Sequence, residues 1–271
     1  MIPPIENNGN LSFRVILCIR ISLGSKRIAD GICFGEVVFL TRVSFRYVML
    51  CLTLVAACTI LAVSGSRAVT TISELYSLTD RVVFVLDAGH GGMDGGTSTA
   101  GGVAESVINL QITLRLNDLL HLLGYDTVMI RTSDISVYTE GSTIAAKKLS
   151  DLKERVRIVN GTPNAILVSI HQNFFADSKY SGAQVFYADT PESKLLAEAV
   201  QKNLIQCLQP TSNRQCKQAS GIYLMEHIDT CGILIECGFL SNQEEAAKLQ
   251  KKEYQLQLCG VIASTLAVAV N

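Results

Sequence analysis

The chain has 271 residues, of which 48% are hydrophobic and 17% charged, so it is long enough for one sizeable domain with additional segments. The formal net charge is −1 and tryptophan is absent. Because there is no overall basic field and no stripe of basic and aromatic residues, the composition argues against nucleic-acid binding.

Nine cysteines are present, and no two of them form a C-x-x-C pair. This spacing gives no support for a zinc ribbon or a thioredoxin-like redox motif. Cys207 and Cys216 bracket a polar loop and could form a disulfide in an oxidising compartment. For most of the nine, a small buried thiol is the simpler interpretation.

An uncharged apolar run occupies residues 47–63 and follows Arg42 and Arg46. It is at the short end for a membrane-spanning helix, and the basic residues predict that the N-terminus stays in the cytoplasm. A cleaved signal peptide and a lipoprotein processing box ending at Cys58 are the alternatives. The predicted organisation is an N-terminal extension at 1–46, a transmembrane anchor or signal segment at 47–63, a linker at 64–80 and a globular domain at 81–271. That domain is expected outside the cytoplasmic membrane, or secreted if the segment is cleaved.

From residue 81 onward, apolar strands alternate with amphipathic helices. Val82–Asp87 is a continuous apolar run, as in a strand buried on both faces, and a glycine-rich loop at 89–102 leads to a helix at about 104–123. The elements predicted after them are a strand at 127–131, a helix at 149–160, strands at 165–170 and 183–188, a helix from 190, a strand at 232–236 and a helix at 243–268. This alternation predicts an α/β fold with a twisted, mostly parallel sheet and helices on both faces.

Two of the four histidines lie where a predicted strand ends. His90 follows the first strand of the domain and His171 follows the strand at 165–170, so both are expected at the carboxyl edge of the sheet, where α/β proteins bind ligands. Glu105, in the first turn of the next helix, completes a set of two histidines and one carboxylate, which is known for hydrolytic zinc. Favourable interaction with the helix dipole is the alternative role of this glutamate. His121 and His227 lack such placement and are expected to be exposed to solvent or to have a capping role.

Glu236 interrupts the apolar strand GILIECGF, where a charge is not expected without a partner. We assign it the role of general base toward the attacking water and then general acid toward the leaving amine. A structural salt bridge is the alternative, with Arg131, Arg155 or Arg214 as the partner. No G-x-S-x-G motif is present, so no serine nucleophile is indicated.

Several motifs occur together in an order and spacing that resemble the zinc-dependent N-acetylmuramoyl-L-alanine amidases. Over about residues 82–268, these motifs are LDAGHGGMDGG, AESVINLQ, MIRTSD, ERVRIVN, LVSIHQNFFAD, GAQVFYA, NRQCKQASGIYLM and ILIECGFLSN. In that family the histidines of AGHGG and SIH and the glutamate that opens the intervening helix bind zinc, and the glutamate before GF is catalytic. The matching positions here are His90, His171, Glu105 and Glu236.

The resemblance implies one Zn²⁺ ion as cofactor and peptidoglycan as substrate, cut between the lactyl group of N-acetylmuramic acid and L-alanine. One short anchor with one catalytic domain is similar to the spore-cortex amidases of sporulation and germination. The expected partners are peptidoglycan, the membrane through the N-terminal segment and, as a further candidate, an activator protein.

Two departures from the family pattern concern substrate preference rather than the metal site. Gln172 stands where alanine is usual, and Met225–Glu226 stand where leucine or valine followed by arginine is frequent.

Two alternative functions remain: a zinc carboxypeptidase-like hydrolase, which would need a group that recognises a terminal carboxylate, and an inactive wall-binding module.

Overall fold

The computed structural model describes residues 14–19, 39–44, 53 and 81–270. The chain divides into two units, Met1–Ala68 and Val69–Asn271. Apart from Thr53, the predicted anchor at 47–63 and the linker at 64–80 lie outside the described residues. Within the described ranges, no helix combines the length and the apolar character needed to cross a membrane.

The first unit contains an antiparallel pair of strands, β1 (Arg14–Ile19) and β2 (Phe39–Ser44). The sequence pattern did not indicate this pair, because the apolar stretches of the N-terminal extension show no clear period.

The second unit is built on a six-stranded sheet. Its strands are β3 (Val83–Ala88), β4 (Asp126–Met129), β5 (Ala165–Asn173), β6 (Gln184–Tyr187), β7 (Lys217–Gln218) and β8 (Cys231–Phe239). Their spatial order is β4-β3-β5-β8-β6-β7, and every neighbouring pair is parallel except β6 with β8. The predicted mostly parallel sheet is therefore confirmed.

Within residues 81–270, six helices accompany the sheet. They are α1 (Glu105–Leu122), α2 (Ile144–Asn160), α3 (Pro191–Leu208), α4 (Tyr223–His227), α5 (Gln243–Leu249) and α6 (Lys252–Ala269). Two of them begin at a threonine cap: Thr143 accepts from the amide of Ala146 at the start of α2, and Thr190 accepts from the amide of Ser193 at the start of α3. Each cap satisfies an amide that has no partner within its helix.

The helices lie on both faces of the sheet, and successive strand residues contribute to two separate cores because side chains alternate along a strand. One core joins Phe84 and Ile166 to α1, α3 and α6. The other joins Val85 and Leu167 to α2 and α4. Because helices pack on both faces of the central strands, the carboxyl ends of these strands have fixed positions.

The predicted last helix at 243–268 is in fact two helices. α5 ends at Leu249, Gln250 is its cap, and Lys251 has extended backbone angles (φ −87°, ψ 128°) before α6 begins. The side chain of Gln255 donates a hydrogen bond to the carbonyl oxygen of Leu249 at 2.6 Å. This bond satisfies a carbonyl group at the end of α5, which the apolar period of the sequence does not reveal.

Other boundaries also differ from the predicted ones. α2 begins at Ile144 rather than at 149, because Thr143 supplies its cap. β5 continues to Asn173 and β8 to Phe239, so the histidine and the glutamate predicted at strand ends lie inside hydrogen-bonded strands. The short elements β7 and α4 were not predicted.

Candidate active site

The site lies at the carboxyl ends of the central parallel strands. His171 of β5 and Glu236 of β8 are direct register partners. Both side chains lie on the sheet face that packs against α2 and α4, because Leu167 and Leu234 belong to that core and alternate residues share a face. Adjacent strands thus place an imidazole beside a carboxylate.

His90 is presented by the loop that follows β3. Its φ of 62° is in the left-handed region, which is uncommon for a residue with a side chain. Its carbonyl oxygen accepts a hydrogen bond from Nη2 of Arg155 at 2.8 Å. The surrounding structure therefore holds an unfavourable backbone conformation, as is frequent at functional sites.

Glu105 is the first residue of α1 and is buried. Its Oε1 atom lies 3.3 Å from Nε2 of His90 and 3.1 Å from Nδ1 of His171. One donor atom from each of the three residues lies within 4.8 Å of the other two. The structure thus brings together the three residues that the sequence predicted as a metal site.

The protonation of this cluster follows from its contacts. Although burial by itself raises the pKa of Glu105, hydrogen bonds from His171 and His90 hold that pKa well below its usual value. Burial lowers the pKa of His90, but Glu105 and then Asp94 outweigh that effect and raise it. Glu105 is therefore ionised at neutral pH, and its negative charge favours a cation beside the two imidazole rings.

Two amide side chains hold Glu105 in place. Asn109 Nδ2 donates to Glu105 Oε1 at 3.2 Å, and Gln172 Nε2 donates to Asn109 Oδ1 at 3.1 Å. The backbone amide of Gln172 also donates to Glu105 Oε1 at 3.1 Å. The sequence analysis missed this role of Asn109. The available signal was a polar residue four positions after Glu105, on the apolar face of the helix.

Glu236 is the second unusual carboxylate. Its Oε2 atom is buried and has no hydrogen-bond partner among the described residues. Burial raises the pKa of this carboxyl to about 7, with an opposing effect of His171 and a reinforcing one of Glu105. A group with such a pKa can both accept and release a proton near neutral pH.

The three arginines considered as salt-bridge partners of Glu236 bond elsewhere. Arg131 donates to the carbonyl oxygens of Ala88, Gly89, Ser106 and Ser133, Arg155 pairs with Asp87 and Asp151, and Arg214 bonds the Ser181 carbonyl and Gln184. The contacts of these three arginines therefore give no support for a structural salt bridge with Glu236.

A cavity of about 210 Å³ opens beside these groups. Its lining includes the polar side chains of His90, Lys148, His171 and Glu236, together with the apolar side chains of Leu152, Ile222, Leu224 and Leu234. A partly apolar cavity with a few convergent polar groups is the usual form of a small-ligand or substrate site.

The remaining histidines and the cysteine pair lie outside the cluster. His121 is exposed and contacts Thr127, and His227 is exposed and stacks on Tyr223 at 3.9 Å between ring centroids. Cys207 and Cys216 are free thiols, so the disulfide between them is not formed in this structure.

A sequence model of the family described as N-acetylmuramoyl-L-alanine amidase matches residues 84–267, which is more than half of the chain. The chain belongs to the N-acetylmuramoyl-L-alanine amidase family. The resemblance inferred from the motifs is therefore confirmed, and the activity is that of a peptidoglycan amidase.

Individual amidases agree with this assignment. The chain is 38% identical over 180 residues to the germination-specific N-acetylmuramoyl-L-alanine amidase of Bacillus subtilis (strain 168), a match that covers 66% of this chain and 75% of the relative. The solved structure of the CwlD amidase from Clostridioides difficile, in complex with the GerS lipoprotein, is 36% identical with a TM-score of 0.68 and covers 70% of this chain and 98% of that one.

A second solved amidase, from Clostridium difficile 630, is 28% identical with a TM-score of 0.60 and covers 69% of this chain and 95% of that one. In each case the similarity falls on about two thirds of this chain, and it extends over nearly all of both solved chains.

Proposed function

We propose that this amidase cuts the bond between the lactyl group of N-acetylmuramic acid and L-alanine with one zinc ion held by His90, Glu105 and His171. Glu236 is the catalytic carboxylate of this proposal. The observation on which it rests is the convergence of three donor atoms within 4.8 Å, beside a buried carboxylate oxygen of Glu236 that has no hydrogen-bond partner in the part of the chain that the structure describes.

The donor set fits zinc in its chemistry. Two imidazoles and one carboxylate are a ligand composition of catalytic zinc sites, which leave a further position for water or substrate. The low pKa of Glu105 keeps this ligand ionised, and its hydrogen bonds to Asn109 and to the Gln172 amide keep it in place. When bound there, zinc would polarise the substrate carbonyl and lower the pKa of water to about 7.

Glu236 moves the protons of the reaction. Its unpartnered Oε2 atom would accept a proton from the attacking water and deliver it to the nitrogen of the departing L-alanine. A pKa of about 7 suits both transfers, because the carboxylate is basic enough to take the proton and acidic enough to return it. His171, its register partner on β5, fixes the distance between this base and the metal ligands.

The biological setting follows from the relatives. We infer that the chain acts in spore-cortex remodelling or germination, as the name of the Bacillus subtilis relative suggests. Its proposed organisation is an extension at 1–46, an anchor or signal segment at 47–63, a linker at 64–80 and the catalytic domain at 81–271, which works outside the cytoplasmic membrane. Because the CwlD structure is a complex with a lipoprotein, a protein partner is part of the proposal.

The decisive experiment is mass analysis of purified peptidoglycan digested with the full-length protein and with Glu236→Gln. We expect the wild-type protein to release peptides with free L-alanine amino termini, and the variant to bind zinc while losing about a hundredfold or more of the rate. Glu253→Gln, the same change at an exposed position of α6, is the matched control.

Two outcomes would contradict the proposal. A Glu236→Gln variant with the wild-type rate would refute the assignment of the base. Cleavage of free peptides without release of L-alanine amino termini from wall fragments would favour the carboxypeptidase alternative instead.

A further inference from the structure

Nδ1 of His90, the ring nitrogen that faces away from Glu105, contacts the carboxylate of Asp94, a residue that the sequence analysis did not single out. Nδ1 of His90 lies 3.1 Å from Oδ2 of Asp94, while Nε2 of the same ring lies 3.3 Å from Oε1 of Glu105. The two ring nitrogens therefore face different groups, one away from the metal cluster and one toward it.

The position of Asp94 is itself fixed. Its backbone forms a reciprocal bridge with Gly91, with N–O distances of 2.8 and 3.2 Å. Its Oδ1 atom accepts from the amide of Gly96 at 3.4 Å, and its Oδ2 atom is 3.1 Å from Nζ of Lys148. Lys148 belongs to α2, so a rigid helix on one face of the sheet contacts the loop that carries His90.

This arrangement determines which nitrogen of His90 can bind a metal. An ionised carboxylate only accepts hydrogen bonds, so the imidazole must carry its proton on Nδ1. In the neutral form of the ring, which is the form that binds a metal, the lone pair is then on Nε2, the nitrogen that donates to Glu105 when the ring is protonated. Histidines that bind metals commonly donate their other N–H to a carboxylate in this way, which fixes the tautomer and the ring orientation.

We propose that Asp94 and Lys148 are positioning residues that together orient His90 for metal binding, with Asp94 holding the ring and Lys148 holding Asp94. This inference rests on the proposed metal site and extends it to two residues that are not among the three proposed ligands, although both line the cavity beside them. It predicts that Lys148 acts only through Asp94.

The test is zinc affinity of the metal-depleted full-length protein, measured by competition with a fluorescent chelator at constant pH. We expect Asp94→Asn to weaken zinc binding by about 10- to 100-fold, and Asp94→Glu to recover part of the loss. Lys148→Met should weaken binding less, because Asp94 keeps its contacts to His90 and Gly96. Lys147→Met is the matched control, since Lys147 lies over the ring of Tyr138, 5.0 Å from its centroid, rather than on Asp94.

A double-mutant cycle tests the proposed relay, in which Lys148 acts on His90 through Asp94, against independent effects of the two residues on zinc binding. If Lys148 acts through Asp94, then Lys148→Met causes no further loss of affinity in the Asp94→Asn background; additive losses would refute the relay. The d–d absorption of bound Co²⁺ gives a second readout, and we expect Asp94→Asn to change it while Lys147→Met does not.

The outcomes also distinguish this inference from the proposed function. Wild-type zinc affinity in both Asp94→Asn and Lys148→Met would overturn the relay and leave the metal site intact. A wild-type protein that failed to bind zinc would overturn the metal assignment and the relay with it. Thermal unfolding of each metal-depleted variant shows whether a loss of affinity reflects a loss of fold.

Discussion

Gly96 is a residue at which both the backbone conformation and the available space limit the site. Its φ is +67°, and a Cβ atom added there would lie 2.5 Å from Oε2 of Glu105 and 2.7 Å from Cδ2 of His90. A side chain is therefore disfavoured both by the backbone conformation and by two of the proposed metal ligands.

We predict that Gly96→Ala displaces Glu105 or His90 and weakens zinc binding by about tenfold or more, with a loss of about 1 kcal/mol in unfolding free energy. Chelator competition and urea unfolding measure the two effects. Gly95→Ala is the control, because its Cβ would lie 3.5 Å from that of Ala104, an ordinary contact. Equal zinc affinity in the two variants would show that the backbone at Gly96 does not control the ligands.

At the scale of elements, the start of α3 joins a helix to β8, the strand that bears the proposed catalytic carboxylate. Thr190 caps the helix by accepting from the amide of Ser193, and Pro191 occupies the first helical position. The hydroxyl of Ser193 in turn accepts from the amide of Gly232 in β8 at 2.9 Å. The start of α3 thus provides hydrogen-bond acceptors for backbone amides in both α3 and β8.

Removal of this cap should destabilise the domain without altering the proposed metal site. We predict that Thr190→Ala lowers the unfolding free energy by about 1 kcal/mol, because the amide of Ser193 loses its acceptor. Thr190→Ser retains the hydroxyl and should recover most of the loss. Urea unfolding monitored by circular dichroism measures both variants, and equal stability of Thr190→Ala and wild type would mean that water replaces the cap without cost.

At the scale of the whole molecule, a buried ion pair connects the sheet, a helix and the site. Asp87 of β3 pairs with Arg155 of α2 and accepts from the hydroxyl of Ser169 in β5 at 2.6 Å. Arg155 also donates to the carbonyl oxygen of His90. Although burial alone raises the pKa of Asp87, the Arg155 guanidinium, His171 and the Ser169 hydroxyl hold that pKa below its usual value.

This lowered pKa predicts an acid-dependent stability. The folded protein keeps Asp87 ionised where the unfolded chain, with an ordinary pKa of about 3.9, binds a proton. The contribution is complete above that value and is lost as the pH falls through the folded pKa. We expect Asp87→Asn to lose about 3 kcal/mol at neutral pH, and the difference from wild type to shrink below about pH 4.

Urea unfolding over a pH series tests this expectation. The matched control is Asp126→Asn, which removes an exposed pair with Arg81 (3.4 Å) and should cost less than about 1 kcal/mol at every pH. A difference between Asp87→Asn and wild type that stayed constant from neutral to acid pH would contradict the role of the lowered pKa.

Much of the fold and of the candidate site could be predicted from the sequence because the signals are local. Apolar runs marked β3, β5 and β8, and their parallel order placed His90 and His171 at one edge. Glu236 was conspicuous as a charge inside an apolar strand. The break between α5 and α6 was missed, since it depends on the hydrogen bond from Gln255 rather than on periodicity.

The sequence by itself determined the family, the α/β alternation and the four residues of the proposed chemistry. Only the tertiary structure decided what holds those residues in place. Asn109, Asp94 and Lys148 are ordinary polar residues in the sequence. Asn109 contacts Glu105 within α1, and Asp94 contacts His90 within one loop, at 3.1 to 3.2 Å. Their further contacts, of Asn109 with Gln172 and of Asp94 with Lys148, join different parts of the fold at 3.1 Å. Such contacts are set by the packing of helices on the sheet, because a hydrogen bond depends on distance and direction, which spacing along the chain does not specify.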